Sequence, residues 1–233
     1  MKVLAIDTAS NVASAAILED DKLLGEIILN HKLTHSQKLM PMIDALFQNC
    51  ECKPEDMDLF AAANGPGSFT GLRIGVATVK GLAHGVNKPV IGISTLDGLA
   101  YSLPYCENLI VPIMDARRSQ VYTGTYIWDT DGFKTVEEPR AVSIEECVSD
   151  CGNFLETVFV GDGVPVHREY ICEKLGDKAL FVEANANMQR ASSIGALALR
   201  RYDRAVAPQE LLPFYLRKSQ AEREYDEKHF SKQ

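Results

Sequence analysis

The stretch KVLAIDTASNVASAAILEDDKLLGEIIL, residues 2–29, decides how this chain folds. It holds three runs of strand-type residues, at 3–6, 12–18 and 22–29. The turn residues Asp7 to Asn11 and the acidic turn Glu19-Asp20-Asp21 divide them. Links this short let consecutive strands pair only with their neighbours, so the opening reads as an antiparallel meander. Next, Thr34-His35-Ser36-Gln37 has the form of a helix capping box, followed by Leu39, Ile43, Leu46, Phe47 and Cys50 at helical spacing on one face. Pro41 falls inside that helix and is expected to kink it. A short apolar strand at 57–63, a helix at 69–85 and a strand at 89–93 complete the order βββαβαβ. Strands joined through helices pair in parallel, so the first half is expected to form one mixed sheet with an antiparallel edge.

The turn-rich Ser102-Leu103-Pro104-Tyr105 precedes a restart, with strands at 109–114, 121–128 and 133–136. Ser143 with Glu146 again resembles a capping box. Strands at 157–160 and 179–182 then alternate with helices at 165–175 and 192–202. The halves repeat one order without visible sequence identity. Two lobes are expected, at 1–103 and 104–217, with the last helix placed to pack back on the first lobe. A charged tail follows at 218–233.

The 233 residues are 46% hydrophobic and 24% charged, enough for a substantial core. No apolar run approaches the roughly 20 residues that cross a bilayer. Met1-Lys2 leads into the folded pattern without the apolar core of a signal peptide, so no membrane association and a cytoplasmic location are expected. None of the six cysteines forms a Cys-x-x-Cys pair, which favours reduced, idle thiols over a metal or disulfide framework. A formal net charge of −8 argues against a chain that grips nucleic acid alone. If RNA is the substrate, a partner holds most of it.

Two segments suit ligand chemistry. Asp7-Thr8-Ala9-Ser10, at the end of the first strand, offers a carboxylate and hydroxyls to a metal-bound phosphate, although an Asp-Thr turn that merely joins strands is the commoner case. Asn64-Gly65-Pro66-Gly67-Ser68-Phe69-Thr70-Gly71-Leu72-Arg73-Ile74-Gly75 runs from a strand end into a helix, where glycines admit close approach and the helix start favours an anion. It matches neither the Walker A nor the dinucleotide pattern. On that helix Gly71, Gly75 and Thr78 form a smooth stripe beside an apolar one made by Leu72, Val76, Val79 and Ala83. Packing on the chain's own first helix and contact with another subunit both fit. Asp115-Ala116-Arg117-Arg118 suits either a phosphate or a partner's carboxylate, or pairs internally to close its turn. His31 and His35 have the spacing of a two-histidine metal site, but the cap at Thr34 separates them and no general-base Glu accompanies them. No nucleophile stands in a Gly-x-Ser-x-Gly elbow, and Ser68 and Ser94 suit helix caps better.

Taken together these residues resemble the TsaB, or YeaZ, family of bacteria. The resemblance rests on Asp7-Thr8, on His35-Ser36-Gln37 with Leu39 and Pro41, and on the block from Gly65 to Gly75. It extends to Asp115-Ala116-Arg117-Arg118 with Val121-Tyr122, to Gly161-Asp162-Gly163 and to Pro213-Phe214-Tyr215-Leu216-Arg217. It implies a two-lobed α/β fold of the actin, Hsp70 and sugar-kinase type, ribonuclease H-like with mixed sheets. It also implies a non-catalytic partner of TsaD, the paralogue that transfers a threonylcarbamoyl group to N6 of adenosine 37 in tRNAs reading codons that begin with A. A TsaE-type ATPase joins that pair, and tRNA is met through the complex. No cofactor is expected on this chain itself, ATP or ADP being used by the assembly.

The resemblance also implies a pairing surface on the two helices of the first lobe, with His35, Leu39, Ile43, Phe47, Gly71, Leu72, Gly75, Val76 and Val79 as contacts, and a homodimer when the partner is missing. Asp7, Thr8, Gly65, Gly67, Arg73, Asp115, Arg117, Arg118, Gly161, Asp162 and Gly163 are expected in a nucleotide-related or structural role. TsaD-like chains carry a His-x-x-x-His metal pair in a segment that matches Thr95-Leu96-Asp97-Gly98-Leu99, so the catalytic metal is expected to be absent. The rivals are a small actin-fold ATPase or kinase, motivated by Asp7-Thr8 and Gly161-Asp162-Gly163, and a glycoprotease-like peptidase, for which no zinc site or triad can be assembled.

Overall fold

The computed structural model describes residues 1–31 and 35–217. The cap expected at Thr34 and the charged tail lie outside the described residues. The opening meander is β1 (Lys2–Asp7), β2 (Val12–Glu19) and β3 (Lys22–Asn30), followed by α1 (His35–Asn49), β4 (Leu59–Gly65), α2 (Phe69–Gly85) and β5 (Val90–Ser94). β2 runs antiparallel to β1 and β3, while β1, β4 and β5 are parallel, in the order β3-β2-β1-β4-β5. After α3 (Thr95–Tyr101) come β6 (Leu109–Asp115), β7 (Gln120–Asp129), β8 (Gly132–Ser143), α4 (Ile144–Cys151), β9 (Thr157–Val160), α5 (Val164–Leu175), β10 (Ala179–Phe181) and α6 (Ala191–Arg200). The second sheet has the order β8-β7-β6-β9-β10 with the same directions. One sheet is therefore built twice, which is the mixed, repeated architecture expected of the actin-like class.

The central strand shows why the sequence does this. Leu4 and Ile6 of β1 face a cluster with Leu39, Ile43 and Phe47 of α1 and Val76 and Val79 of α2, whereas Val3 and Ala5 face Ile194, Leu197 and Ala198 of α6. A strand covered on both faces must be apolar throughout, and residues 3–6 are. The last helix thus packs on the first sheet. Glu26 of β3 fixes its start by accepting from Ser192 N at 2.9 Å and pairing with Arg190 at 2.5 Å.

Most of the expected pairing surface is interior. Leu39, Ile43 and Phe47 are 1–7% exposed, Leu72, Val76 and Val79 are 0–3% exposed, and all belong to the chain's own core. Gly71 and Gly75 also point inward, against the β1–β2 turn. A Cβ on Gly75 would stand 2.5 Å from Thr8 Oγ1, and one on Gly71 would overlap the Thr8 carbonyl oxygen. His35 is half-buried, with Nε2 2.7 Å from the Ser10 carbonyl oxygen. The glycine stripe is a device for pressing α2 onto β1, not a contact face. The outer face of α2 instead presents Thr70, Arg73, Ala77, Gly81 and His84. α1 continues through Pro41 as one helical element, with Pro41 on its exposed side.

Two elements were only partly read from the sequence. Ser94 caps α3 as its position implies, accepting from Asp97 N at 3.3 Å, but the helix is buried along almost its whole length and so has no amphipathic period to give its extent. β8 runs to Ser143 because its ladder with β7 tolerates Pro139 at an irregular, mostly exposed stretch where apolar alternation is missing. Ser68 and Ser143 cap α2 and α4 as their positions imply.

The two glycine environments separate in a denaturation experiment. Gly71→Ala is expected to cost about 1–3 kcal/mol through overpacking against Thr8. Gly81→Ala, with nothing within 4 Å of the added Cβ, is expected to leave stability unchanged or raise it by up to about 1 kcal/mol. Urea midpoints at constant slope check both.

Candidate functional site

Because the sheet is built twice, the β1–β2 and β6–β7 hairpins are equivalent, and each begins with an aspartate. Asp7 Oδ1 accepts from Ala9 N at 2.9 Å and Asp115 Oδ1 accepts from Arg117 N at 2.9 Å, the same turn in both halves. Asp115 is thereby the counterpart of Asp7 in the second half, a correspondence that only the structural repeat reveals. Between the hairpins lies a cleft of about 430 Å³. Its walls come from Ala9 to Asn11, from Gly67 to Thr70 at the start of α2, from Asp115 to Arg117, from Asp162, and from residues 214–217.

Burial dominates the electrostatics. Asp7 is 1% exposed and its carboxyl is pushed up to about 7 by loss of water, with a smaller push from the Asp162 charge, against the stabilising Ala9 hydrogen bond. Burial raises Asp162 to about 6, and its Oδ1 is buried without a hydrogen-bond partner. Asp115 and Asp162 line the cleft, and the Asp162 charge reaches Asp7, but among the described residues no group of three His, Cys, Asp or Glu side chains is placed to hold a metal ion. The cleft rim is strained, since Arg117, Arg118 and Ser119 are consecutive left-handed residues with φ of 63°, 55° and 56°. Gln120 N donating to Arg117 O at 3.1 Å and the Asp115 turn hold that tip. Arg117 lines the cleft, while Arg118 is exposed at the hairpin tip.

Several expected site residues serve the frame. Thr8 is buried and donates from Oγ1 to Gly71 O at 2.8 Å. Gly161 N donates to Asn187 Oδ1 at 2.6 Å, and Gly163 N donates to Ile113 O at 3.0 Å. Gly67 abuts Ala9, while Gly65, at φ 137°, lets the Phe214 backbone lie against it. Arg73 stands outside the cleft, its guanidinium 3.9 Å over the Phe69 ring and its Nε donating to Tyr215 Oη at 3.1 Å.

The C-terminal segment escaped notice as a structural strap. Val206 pairs with Val90, Lys80 Nζ donates to Gln209 O and Leu211 O at 3.1 and 3.0 Å, and Phe214 N donates to Asn64 O at 2.6 Å. Arg217 then crosses to the second lobe and donates to Ala116 O at 3.0 Å. Ser10, donating to Gln189 Oε1 at 2.8 Å, is a second tie. A third surrounds α3. Tyr126 Oη donates to Asp97 Oδ1 at 2.9 Å and Arg201 Nη1 donates to Asp97 Oδ2 at 2.6 Å. Burial, then the charge of Asp97, drives the Tyr126 hydroxyl far above its ordinary value. No periodicity announces these polar partners, which come from elements distant in sequence.

Two copies of one mixed sheet, facing each other across a cleft and joined by a late helix and strap, make this a protein of the actin-like class. The family described as "TsaD: tRNA N6-adenosine threonylcarbamoyltransferase" matches residues 22–225. The chain is 33% identical over 228 residues to the tRNA threonylcarbamoyladenosine biosynthesis protein TsaB of Bacillus subtilis, covering 97% of this chain and 99% of that protein. Against the TsaB of Escherichia coli it is 35% identical over 168 residues, covering 70% and 72%. A Pseudomonas aeruginosa structure described as similar to the peptidase YeaZ superposes with a TM-score of 0.77 at 24% identity, covering 93% of this chain and 99% of that one. The chain belongs to the TsaB (YeaZ) family. Among the described residues no helix is long and apolar enough to cross a membrane.

The buried Asp7 makes stability depend on pH with a definite sign. Its folded value lies above its unfolded one, so the native state holds the proton more tightly and stability falls as pH rises from about 4 to about 7. Asp7→Asn keeps an acceptor for Ala9 N but removes the titration. Its stability relative to the wild type is expected to rise by about 2–3 kcal/mol between pH 5 and pH 8, as read from urea unfolding at the two values. An unchanged difference would contradict the burial of an ionising carboxyl there.

Proposed function

We infer that the chain acts in tRNA threonylcarbamoyladenosine biosynthesis as a non-catalytic partner of a TsaD-type transferase, supporting that subunit in the transfer to N6 of adenosine 37. The observation that carries this reading is the state of α3. The resemblance maps the transferase's two metal-binding histidines onto Thr95 and Leu99. Here Thr95, Leu96 and Leu99 are 0–1% exposed, and Leu96 and Leu99 pack in the core with Ile194 and Leu197. Asp97, the polar member of the segment, is consumed by Tyr126 and Arg201. A Cβ on Gly98 would stand 2.5 Å from Ile194 Cδ1, so α3 is packed closely on α6 at that point. Thr95 and Leu99 supply no imidazole at the positions that the resemblance assigns to the relative's histidines.

The pairing surface follows from the corrected register of α2. Ala77 and Gly81 are exposed along its outer face, and Gly81 has open space above it. A face of small residues lets a partner helix approach closely. A TsaE-type ATPase and tRNA join through the complex, and the chain pairs with itself when the transferase is missing. A second reading, a small ATPase, is favoured by the paired Asp7 and Asp115 hairpins. It is disfavoured by their failure to form a three-carboxylate site among the described residues. A peptidase reading has no such support, since Cys147 and Cys151 are buried in the core of the second lobe.

Two experiments separate these readings. Co-expressed with the TsaD-type transferase of the same organism, the wild type is expected to co-elute on size exclusion. Gly81→Arg is expected to weaken that pairing at least about tenfold while its melting temperature is retained. Undiminished co-elution would refute the α2 surface. In calorimetry with ATP and Mg²⁺ the lone chain is expected to show no turnover, and clear turnover would favour the ATPase.

A further inference from the structure

Resting on that reading, a second observation concerns where the energy of pairing resides. The outer face of α2 is smooth, and Ala77 and Gly81 supply close approach but little side-chain area. Interface energy concentrates in aromatic and arginine side chains held in place beforehand. One such group borders this face. Phe69, the first residue of α2, stacks on Tyr215 of the strap with ring centroids 4.6 Å apart, and the Arg73 guanidinium lies 3.9 Å over the other partner of that stack, Phe69. Arg73 Nε is further fixed by Tyr215 Oη at 3.1 Å. Leu212, Phe214 and Tyr215 beside it are 67%, 47% and 38% exposed, an unusual density of apolar side chains on a short irregular segment.

Charge indicates the occupant. The chain carries a formal net charge of −8, yet residues 69–85 contain Arg73, Lys80 and His84 and not one Asp or Glu. Among the described residues Arg73 makes no ion pair, although its planar fork is oriented and exposed. A second copy of this face would bring cations against cations, whereas a carboxylate would complete the Arg73 fork with two charge-assisted hydrogen bonds.

We propose that the docking surface is composite, joining the outer face of α2 to the aromatic strap. Its occupant is a helix of the transferase that lays apolar side chains on Leu212, Phe214 and Tyr215 and sets a carboxylate against Arg73. The strap is thereby a specificity element that distinguishes the transferase from a second copy of this chain.

Titration calorimetry with the purified transferase of the same organism tests this, with self-association of the lone chain followed by sedimentation. Arg73→Ala and Leu212→Ser change exposed side chains, and unaltered melting temperatures verify that both fold. Arg73→Ala is expected to weaken transferase binding by about 10- to 100-fold. Arg73→Lys, which keeps the charge but loses the stacked fork, is expected to recover only part of that. Leu212→Ser is expected to weaken binding by about 3- to 10-fold. All three are expected to leave self-association unchanged. If Gly81→Arg abolishes transferase binding but the Arg73 and Leu212 variants bind as the wild type does, the strap proposal is overturned and pairing on α2 stands. If Gly81→Arg also binds normally, the pairing surface itself fails. Equal losses in self-association and transferase binding would put a second copy on the strap and overturn the proposal.

Discussion

The contact between α2 and the turn after β1 sets the rest of the molecule. Thr8 donates its hydroxyl hydrogen to Gly71 O at 2.8 Å in a buried site, and Gly71 and Gly75 lack the Cβ atoms that would push the helix away. This approach seats Val76 and Val79 on Leu4 and Ile6 and so closes the core on that side of the first sheet. It also brings the start of α2 to the cleft wall beside Ala9 and Ser10. By fixing the rotation of α2 about its axis, it turns Arg73, Ala77 and Gly81 outward. A glycine-rich block is often read as a cradle for phosphate, but here it mainly serves helix-on-strand packing.

The lobes are tied at several places by polar contacts. Ser10 reaches Gln189, Arg217 reaches Ala116, and Asp97 holds both Tyr126 and Arg201. A catalytic actin-like protein uses interlobe motion to enclose its ligand, and contacts of this kind oppose such motion. At the cleft that persists between the hairpins, desolvation raises the carboxyls of Asp7 and Asp162. The architecture by itself does not decide activity, which depends on the residues at the site.

Strand order was legible because the apolar runs are short, evenly spaced and separated by strong turn residues, and because crossover helices leave parallel pairing as the alternative. Helix starts at Ser68 and Ser143 were legible for the same local reason. The direction of the α2 stripes was not. Leu72, Val76 and Val79 were correctly apolar, but a stripe of glycines is equally compatible with the interior and with an interface. Only the position of Thr8 above Gly71 and Gly75 decides. The correspondence of Asp115 with Asp7 depends on a repeat with no sequence identity, and α3 was announced only by its cap at Ser94, since burial along almost its whole length removes the amphipathic period. The strap of residues 205–217 lacks any periodicity, since it is held by backbone partners such as Asn64 and Val90. Tyr215 and Arg73, 142 residues apart in sequence, meet only in the folded chain.

The central claim is that this chain supports a catalytic relative without performing the transfer itself. Its most direct test is a reconstituted tRNA reaction containing the transferase, the ATPase, the enzyme that supplies the threonylcarbamoyl adenylate, and this chain. Threonylcarbamoyladenosine is measured by mass spectrometry with each protein omitted in turn. The account predicts product only when this chain and the transferase are both present, and none from this chain with the transferase left out. Product formed without the transferase, or a transferase whose output is the same with this chain omitted, would contradict it.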